Sequence, residues 1–319
     1  MNNLSLGENT LSSPHYPVLL SEIIENLQPQ HGKKYLDCTF GAGGYTKAIL
    51  DTANCFVKAL DQDPTVYKYA EKLCTKYKER FEFIQGNFAN IKELSRGERY
   101  DGVVVDLGVS SMQLDEKERG FSFMRDGNLD MRMSSSGYSA ADFIASASEE
   151  EMAEVIYKYG EEVQSRQIAK MIVQERQKEP ITTTVRLAEI IRKSMHYRKS
   201  KIDPATKTFQ AIRIYINKEL ENLEKFLSNL KDILNPEAKI FIVSFHSLED
   251  SIVKSFFKNY SLKKVARSKY APEPENYDES KWLKIISKKP ILPTSHEIRE
   301  NHRSRSARLR VAQKIGGIR

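Results

Sequence analysis

Residues able to do chemistry cluster at the ends of short apolar runs. Asp106 closes Tyr100-Asp-Gly-Val-Val-Val-Asp106 and is followed by Leu-Gly-Val-Ser-Ser111. Asp61 closes Val57-Lys-Ala-Leu-Asp61, and His246 follows the run Ala238–Phe245. Upstream, Tyr35-Leu-Asp-Cys-Thr-Phe-Gly-Ala-Gly-Gly-Tyr-Thr46 sets Gly41, Gly43 and Gly44 directly after another apolar run. Glycines in such a turn let the backbone approach a ligand, because they tolerate positive φ and carry no Cβ. A carboxylate ending the next strand can accept hydrogen bonds from both ribose hydroxyls, which makes Asp61 the ribose candidate. A carboxylate ending a later strand can accept an N–H of an exocyclic amine, localising a lone pair otherwise spread into the ring. Asp106 suits that work, or contact with the amino-acid end of a cofactor; the alternative is a strand-end Asp capping the next turn. His246 could line a base pocket or move a proton, and a buried histidine satisfied by its neighbours is the competing reading. No nucleophile–His–Asp arrangement for covalent catalysis is apparent.

The spacing narrows the ligand. A dinucleotide fingerprint requires a third glycine where Thr46 stands, and a phosphate loop requires glycine immediately before Lys47. Asp37, four residues before Gly41, instead gives Asp-x-x-x-Gly-x-Gly-Gly, a turn suited to an adenosine ligand without pyrophosphate. S-adenosylmethionine is the obvious candidate.

The elements that must position these residues follow from periodicity. Four apolar runs through Asp106, separated by segments of which Val66–Lys78 reads as helix, predict β-α-β-α-β-α-β with right-handed crossovers and a parallel sheet. Residues 113–208 hold no convincing strand; Glu149–Lys178 and Thr184–Met195 show helical periodicity behind Ser or Thr caps. The expectation is a methyltransferase-like α/β domain over 1–112 and 209–319, interrupted by a helical substrate-recognition insert over 113–208 at the ligand-binding edge of the sheet. Phe209–Leu234 carries an apolar stripe of Ile216, Leu220, Leu223, Leu227, Leu230 and Leu234 and reads as one helix stopped by Asn235-Pro236. Residues 261–280 read as a loop. Trp282–Ile286 and Ala307–Ala312 are the last two strands, the second an antiparallel edge with Arg308 and Arg310 alternating against Leu309 and Val311.

Composition bounds the class. The 319 residues are 40% hydrophobic with a net charge of +7, and the sequence pI is near 9.0, which suits an anionic partner. Three cysteines without C-x-x-C spacing argue against a disulfide framework or zinc site, and six scattered histidines indicate no metal site. Residues 1–13 show no targeting signal, and no run is apolar enough to span a bilayer, so a cytoplasmic protein without membrane contact is expected. Arg119–Arg132 interleaves arginines with Phe121 and Phe123. It could stack on unpaired bases and grip phosphates, or equally be an ordered loop docking the insert through its phenylalanines. Arg299–Arg310 and the group Lys193, Arg198, Lys199 and Lys201 are further candidate phosphate contacts.

Taken together, several segments resemble the ribosomal small-subunit methyltransferase H family. They are His15-Tyr-Pro-Val-Leu-Leu20, Asp37–Tyr45, Asp106-Leu-Gly-Val-Ser-Ser-x-Gln-Leu114, Arg119–Arg132, Thr208-Phe-Gln-Ala-x-Arg213, Ser244–Asp250 and Arg303-x-Arg-Ser-Ala-x-Leu-Arg310. They run from about residue 15 to the end of the chain. The resemblance implies a class I S-adenosylmethionine-dependent fold with a helical insert, acting on N4 of a cytidine in 16S ribosomal RNA near the decoding centre. Its partner would be that RNA within the small subunit, with a homodimer also admissible. By matching positions it implies cofactor contacts from Gly43, Gly44 and Tyr45, the ribose on Asp61, adenine beside Phe88, and Asp106 with Gln113 near the methionine end. Cys38 stands where the family commonly has glycine. Tyr45 stands where many members have histidine, so its contact is expected through the backbone. The Pro-Pro-aromatic motif of many amino methyltransferases does not follow Asp106, which leaves the acceptor of the amine proton open. A DNA amino methyltransferase and a non-catalytic RNA-binding assembly factor are the rival readings.

Overall fold

The computed structural model describes residues 17–195, 203–262 and 280–316. Its centre is a seven-stranded sheet of β1 (Lys34–Asp37), β2 (Phe56–Asp61), β3 (Phe81–Gln85), β4 (Tyr100–Asp106), β5 (Leu234–Ser244), β6 (Leu283–Ile285) and β7 (Arg308–Lys314). The order is β3-β2-β1-β4-β5-β7-β6. The first five strands are parallel, and β7 runs antiparallel to both β5 and β6. Chain order therefore reverses between β1 and β4, which opens a crevice at their carboxyl ends.

Both faces of the sheet are covered, which is why its strands read as unbroken apolar runs. On one face Val104, Phe241, Val243, Leu309 and Val311 pack with Ile49 and Leu50 of the helix Gly44–Thr52. On the other Val103, Val105, Ile240 and Ile242 pack with Leu223, Leu227 and Leu230 of the helix Glu219–Ile233. A third cluster is helical and runs from Phe121 to Ile214. It is carried by helices Ala140–Ser146, Glu149–Gly160, Ser165–Arg176, Thr184–Ser194 and Ala205–Asn217. The last of these spans the boundary expected at residue 208 and buries Phe209, Ala211, Ile212 and Ile214 in that cluster.

Four details differ from the sequence reading. The run 149–178 is two helices, because Glu161 turns left-handed (φ 50°) after Gly160. At Gly160 a Cβ would lie 2.6 Å from the Lys207 carbonyl, so this glycine permits close helix crossing. The stripe 209–234 is likewise broken, at Lys218 (φ 51°), so Ile216 and Leu220 pack on the helical cluster while Leu223, Leu227 and Leu230 pack on the sheet. Asn235-Pro236 does not end a helix in a loop. It lies inside β5, where the register against β4 shifts between Tyr100 and Gly102, an irregularity that tolerates a residue without an N–H. Finally, β7 is not an edge: it lies between β5 and β6, and Arg310 is buried because Asp250 takes it in a two-pronged ion pair at 2.7 and 2.9 Å. The loop expected over 261–280 and the basic residues Arg198, Lys199 and Lys201 fall mostly outside the described residues.

Candidate active site

The turn after β1 is built by side chains as much as by glycines. Thr46, at the place of a third glycine, donates its hydroxyl to Asp37 Oδ2 at 2.7 Å, and Thr39 N donates to Oδ1 at 3.2 Å. Asp37 thus closes the turn from beneath, and burial raises its pKa to about 6 against those donors. Asp61 pins the turn from the side, its Oδ2 accepting Gly41 N at 2.8 Å and its Oδ1 accepting Asp63 N at 2.9 Å. Burial lifts its pKa to about 6 as well.

A crevice of about 410 Å³ opens over this turn. Gly41, Gly44, Tyr45, Asp61, Phe88, Asp106 and Gln113 line it. Gly41 has φ +53° and open space around a would-be Cβ, as a ligand-facing glycine should. Gly43 does not line the crevice: a Cβ there would meet Leu73 at 2.6 Å and the Phe40 ring at 2.8 Å, so its demand is core packing at the start of the helix. Tyr45 contributes more than backbone. Its buried hydroxyl donates to the Val18 carbonyl at 2.6 Å and lies 3.4 Å from Asp106 Oδ2. Phe88 stands edge-on to Phe226 with centroids 5.4 Å apart. Gln113 is spent on the protein: Nε2 donates to Asp63 at 2.7 Å and Oε1 accepts Ser110 N at 3.0 Å.

Asp106 dominates the electrostatics. Its amide donates to Thr39 Oγ1 at 2.8 Å, while Oδ1 is buried with no hydrogen-bond partner among the described residues. Burial first, then the nearby Asp37 carboxylate, raise its pKa to about 8, with the Tyr45 hydroxyl opposing. An orphaned buried carboxylate oxygen at a crevice wall is costly unless something arriving there compensates it. A cation or an N–H donor would.

His246 is not among the residues that line this wall. Its Nε2 is 3.2 Å from Glu249 Oε1, and its side chain is 7% exposed. Glu249, Glu219 and His246 gather ligand-type atoms within 4.8 Å. Three of the four carboxylate oxygens are engaged, while both His246 ring nitrogens are buried without a hydrogen-bond partner among the described residues. The Arg213 fork takes both oxygens of Glu219 at 2.8 and 3.0 Å, and Phe245 N donates to Glu249 Oε2 at 2.8 Å.

The Arg119–Arg132 segment packs on the helical cluster and ties it to Asp63 beyond β2. Arg119 forms a buried ion pair with Asp63 at 2.8 Å and caps the Arg132 and Met133 carbonyls; Phe121 is in the helical cluster, and Phe123 packs edge-on to Phe209. Arg132 clasps Asp130, and Arg125 donates to the Asp115 carbonyl. In the tail, Arg303 lines the crevice mouth and pairs with Asp115. Sequence reasoning missed Thr39, Asp63, Arg213, Glu219 and Glu249. Thr39, Arg213 and Glu249 lie within the motifs quoted above, whereas no local pattern singled out Asp63 or Glu219.

Residues 12–315 match the model of the MraW methylase family. The chain is 56% identical over 305 residues to the ribosomal RNA small subunit methyltransferase H of Rickettsia canadensis, covering 96% of this chain and 99% of that one. It is 57% identical over 301 residues to the protein of the same name from Rickettsia akari, covering 94% and 98%. Among solved structures, an rRNA methylase from Streptococcus thermophilus aligns over 93% of this chain and 92% of its own at 9% identity, with a TM-score of 0.41. Nearly full-length agreement at such identity, on top of a crevice of this geometry, establishes that the chain belongs to the MraW methylase family.

Proposed function

We propose that this protein transfers a methyl group from S-adenosylmethionine to N4 of a cytidine in 16S ribosomal RNA near the decoding centre of the small subunit. The relatives' names support ribosomal RNA of the small subunit as the substrate, and the motif resemblance supports the N4 position. The observation that carries the reading is Asp106: a carboxylate whose Oδ1 is buried without a partner among the described residues, at the carboxyl end of β4, beside a glycine turn pinned by Asp61.

The residues present fit such a cofactor. Gly41 leaves room for close approach, Asp61 retains lone pairs for ribose hydroxyls, Phe88 offers a ring to adenine, and the buried carboxylates of Asp37 and Asp106 favour a cation. When bound, S-adenosylmethionine supplies a methyl carbon made electrophilic by its sulfonium. Asp106 accepts an N4 hydrogen, which turns the nitrogen lone pair out of ring conjugation and toward that carbon. Ionised Asp106 would take the N4 proton as the methyl group is transferred, the sulfonium donor leaving as its neutral thioether. Thr39 fixes the Asp106 backbone by accepting its amide, and the Tyr45 hydroxyl steadies the carboxylate. The base must be unpaired or turned outward to enter, and the helical cluster above the crevice, joined to it through Arg119 and Asp63, would hold the surrounding RNA.

The decisive experiment is mass spectrometry of 16S nucleosides from strains with and without the gene, together with labelled methyl transfer to small subunits lacking the mark. N4-methylcytidine should disappear with the gene and return with the purified protein. Unaltered nucleosides, or transfer to DNA in preference to subunits, would overturn the proposal.

A further inference from the structure

Arg213 is a half-buried arginine, its side chain 16% exposed, that the transfer step above does not use. It stands on the helix Ala205–Asn217 and faces the same crevice as Asp106. Glu219 takes its Nε at 2.8 Å and one Nη2 hydrogen at 3.0 Å, which aims the guanidinium plane. This pairing needs the break at Lys218: in a continuous helix two residues six apart are turned about 240° from each other and could not meet. The left-handed Lys218 brings Glu219 back onto Arg213. A guanidinium has five N–H groups; Nη1 and the second Nη2 hydrogen have no partner among the described residues. They lie against Gly108, two residues beyond Asp106, where a Cβ would come within 3.7 Å of Nη2 and 4.0 Å of Nη1. Gly108, at φ +90°, keeps that wall open. The neighbouring Asn217 is spent, donating to the Met131 and Arg213 carbonyls and accepting Met133 N.

We infer that Arg213 reads the acceptor base, its free N–H groups donating to N3 and O2 of cytosine while Asp106 accepts from N4. Cytosine presents donor, acceptor, acceptor along its pairing edge; a carboxylate beside a guanidinium is the complement of that pattern. Uracil presents acceptor, donor, acceptor, so its N3–H would face the arginine donors and its O4 the carboxylate. Arg213 is thus a specificity-determining residue, held by Glu219 as a positioning residue. The inference rests on the cytidine reading above and adds which groups select that base.

The test uses small subunits reassembled with 16S RNA carrying 3-deazacytidine at the target, a base that keeps the amine and O2 but has C–H in place of N3. Wild-type protein should lose about 10- to 100-fold in kcat/KM on this substrate, the usual worth of a bidentate base contact. Arg213→Lys keeps a charge for Glu219 but lacks the fork. It should be slow on cytidine, show nearly equal rates on the two substrates, and keep its S-adenosylmethionine affinity within about twofold, well inside the discrimination expected of a base contact. Equal wild-type rates on both substrates would overturn the inference even if the variant did not fold. So would discrimination retained by Arg213→Lys, or a loss explained wholly by cofactor affinity. Absence of transfer to unmodified cytidine by the wild type is a different result, which removes the cytidine reading and this inference with it.

Discussion

Asp106 shows how one residue ties stability to chemistry. Its pKa, raised from 3.8 to about 8 by burial and by Asp37, means that the folded protein holds this proton more tightly than the unfolded chain. Between about pH 4 and pH 8 the native state therefore binds more protons, and stability falls as pH rises through that window. Asp106→Asn, which cannot ionise, should remove the penalty: its melting temperature relative to wild type should rise from pH 5 to pH 8.5, as differential scanning fluorimetry would read. Cofactor binding is linked to the same proton. On the proposed placement a sulfonium beside Asp106 would lower its pKa, so wild-type affinity should strengthen with pH over this range while that of Asp106→Asn stays flat. Calorimetry in buffers of different ionisation enthalpy should find a proton released by the wild type alone; a flat wild-type profile would mean that Asp106 is already ionised before binding. Methyl transfer by the variant should fall by about 10²- to 10⁴-fold, the usual range for a lost general base. The position of this carboxylate was legible in the sequence, since an Asp closing an apolar run must emerge at a strand end. The roles of Thr39 and Arg213 were not, because their partners Asp106 and Glu219 lie across a sheet register or a helix break that no local pattern encodes.

At the scale of elements, the sheet was readable because β4 and β5 are buried on both faces and so lack polar alternation. The helix breaks were not, because Glu161 and Lys218 adopt left-handed backbone without being glycine or asparagine, and an apolar stripe continues through each. What joins the helical cluster to the sheet was equally hidden: Asp63, Gln113 and Arg119 form a buried knot contributed by the end of β2 and by the first turns beyond β4. Asp63 also donates its amide to Asp61, so this knot abuts the expected ribose site. Arg119→Met should cost about 3–5 kcal/mol, because it leaves the Asp63 carboxylate buried with its charge partner gone. Asp63→Asn added to that variant should recover part of the loss. Denaturant unfolding of the single and double variants checks this; additive losses would show that the pair is not coupled. The same variant should weaken cofactor binding, whereas Arg310→Met, which breaks the Asp250 pair between β7 and the helix Ser247–Tyr260, should destabilise without that effect.

Over the whole molecule, the excess of positive charge is distributed less simply than the arginine-rich tail suggests. The run Arg299–Arg310 reads as a phosphate-gripping surface, yet Arg310 is buried on Asp250, Arg308 lies 3.4 Å from the same carboxylate, and Arg303 is paired with Asp115. These arginines spend charge on holding β7 to the helix Ser247–Tyr260 and the tail to the crevice mouth. Arg305 is exposed and stands in the turn between them. RNA affinity falls with salt in proportion to the number of phosphates neutralised, with a slope near 0.9 per contact on duplex and about 0.7 on single strands. Arg305→Ala should therefore flatten the logarithmic salt dependence of subunit binding by about one unit or less and weaken binding evenly across RNA sequences. Arg310→Ala should leave the slope unchanged at any temperature where the variant is folded, because a charge already neutralised by Asp250 releases no counterion. Filter binding between 50 and 200 mM salt, the range over which phosphate contacts are most visible, separates the two. Equal slopes for wild type and Arg305→Ala would move the RNA contact away from this turn, toward the helical cluster that roofs the crevice.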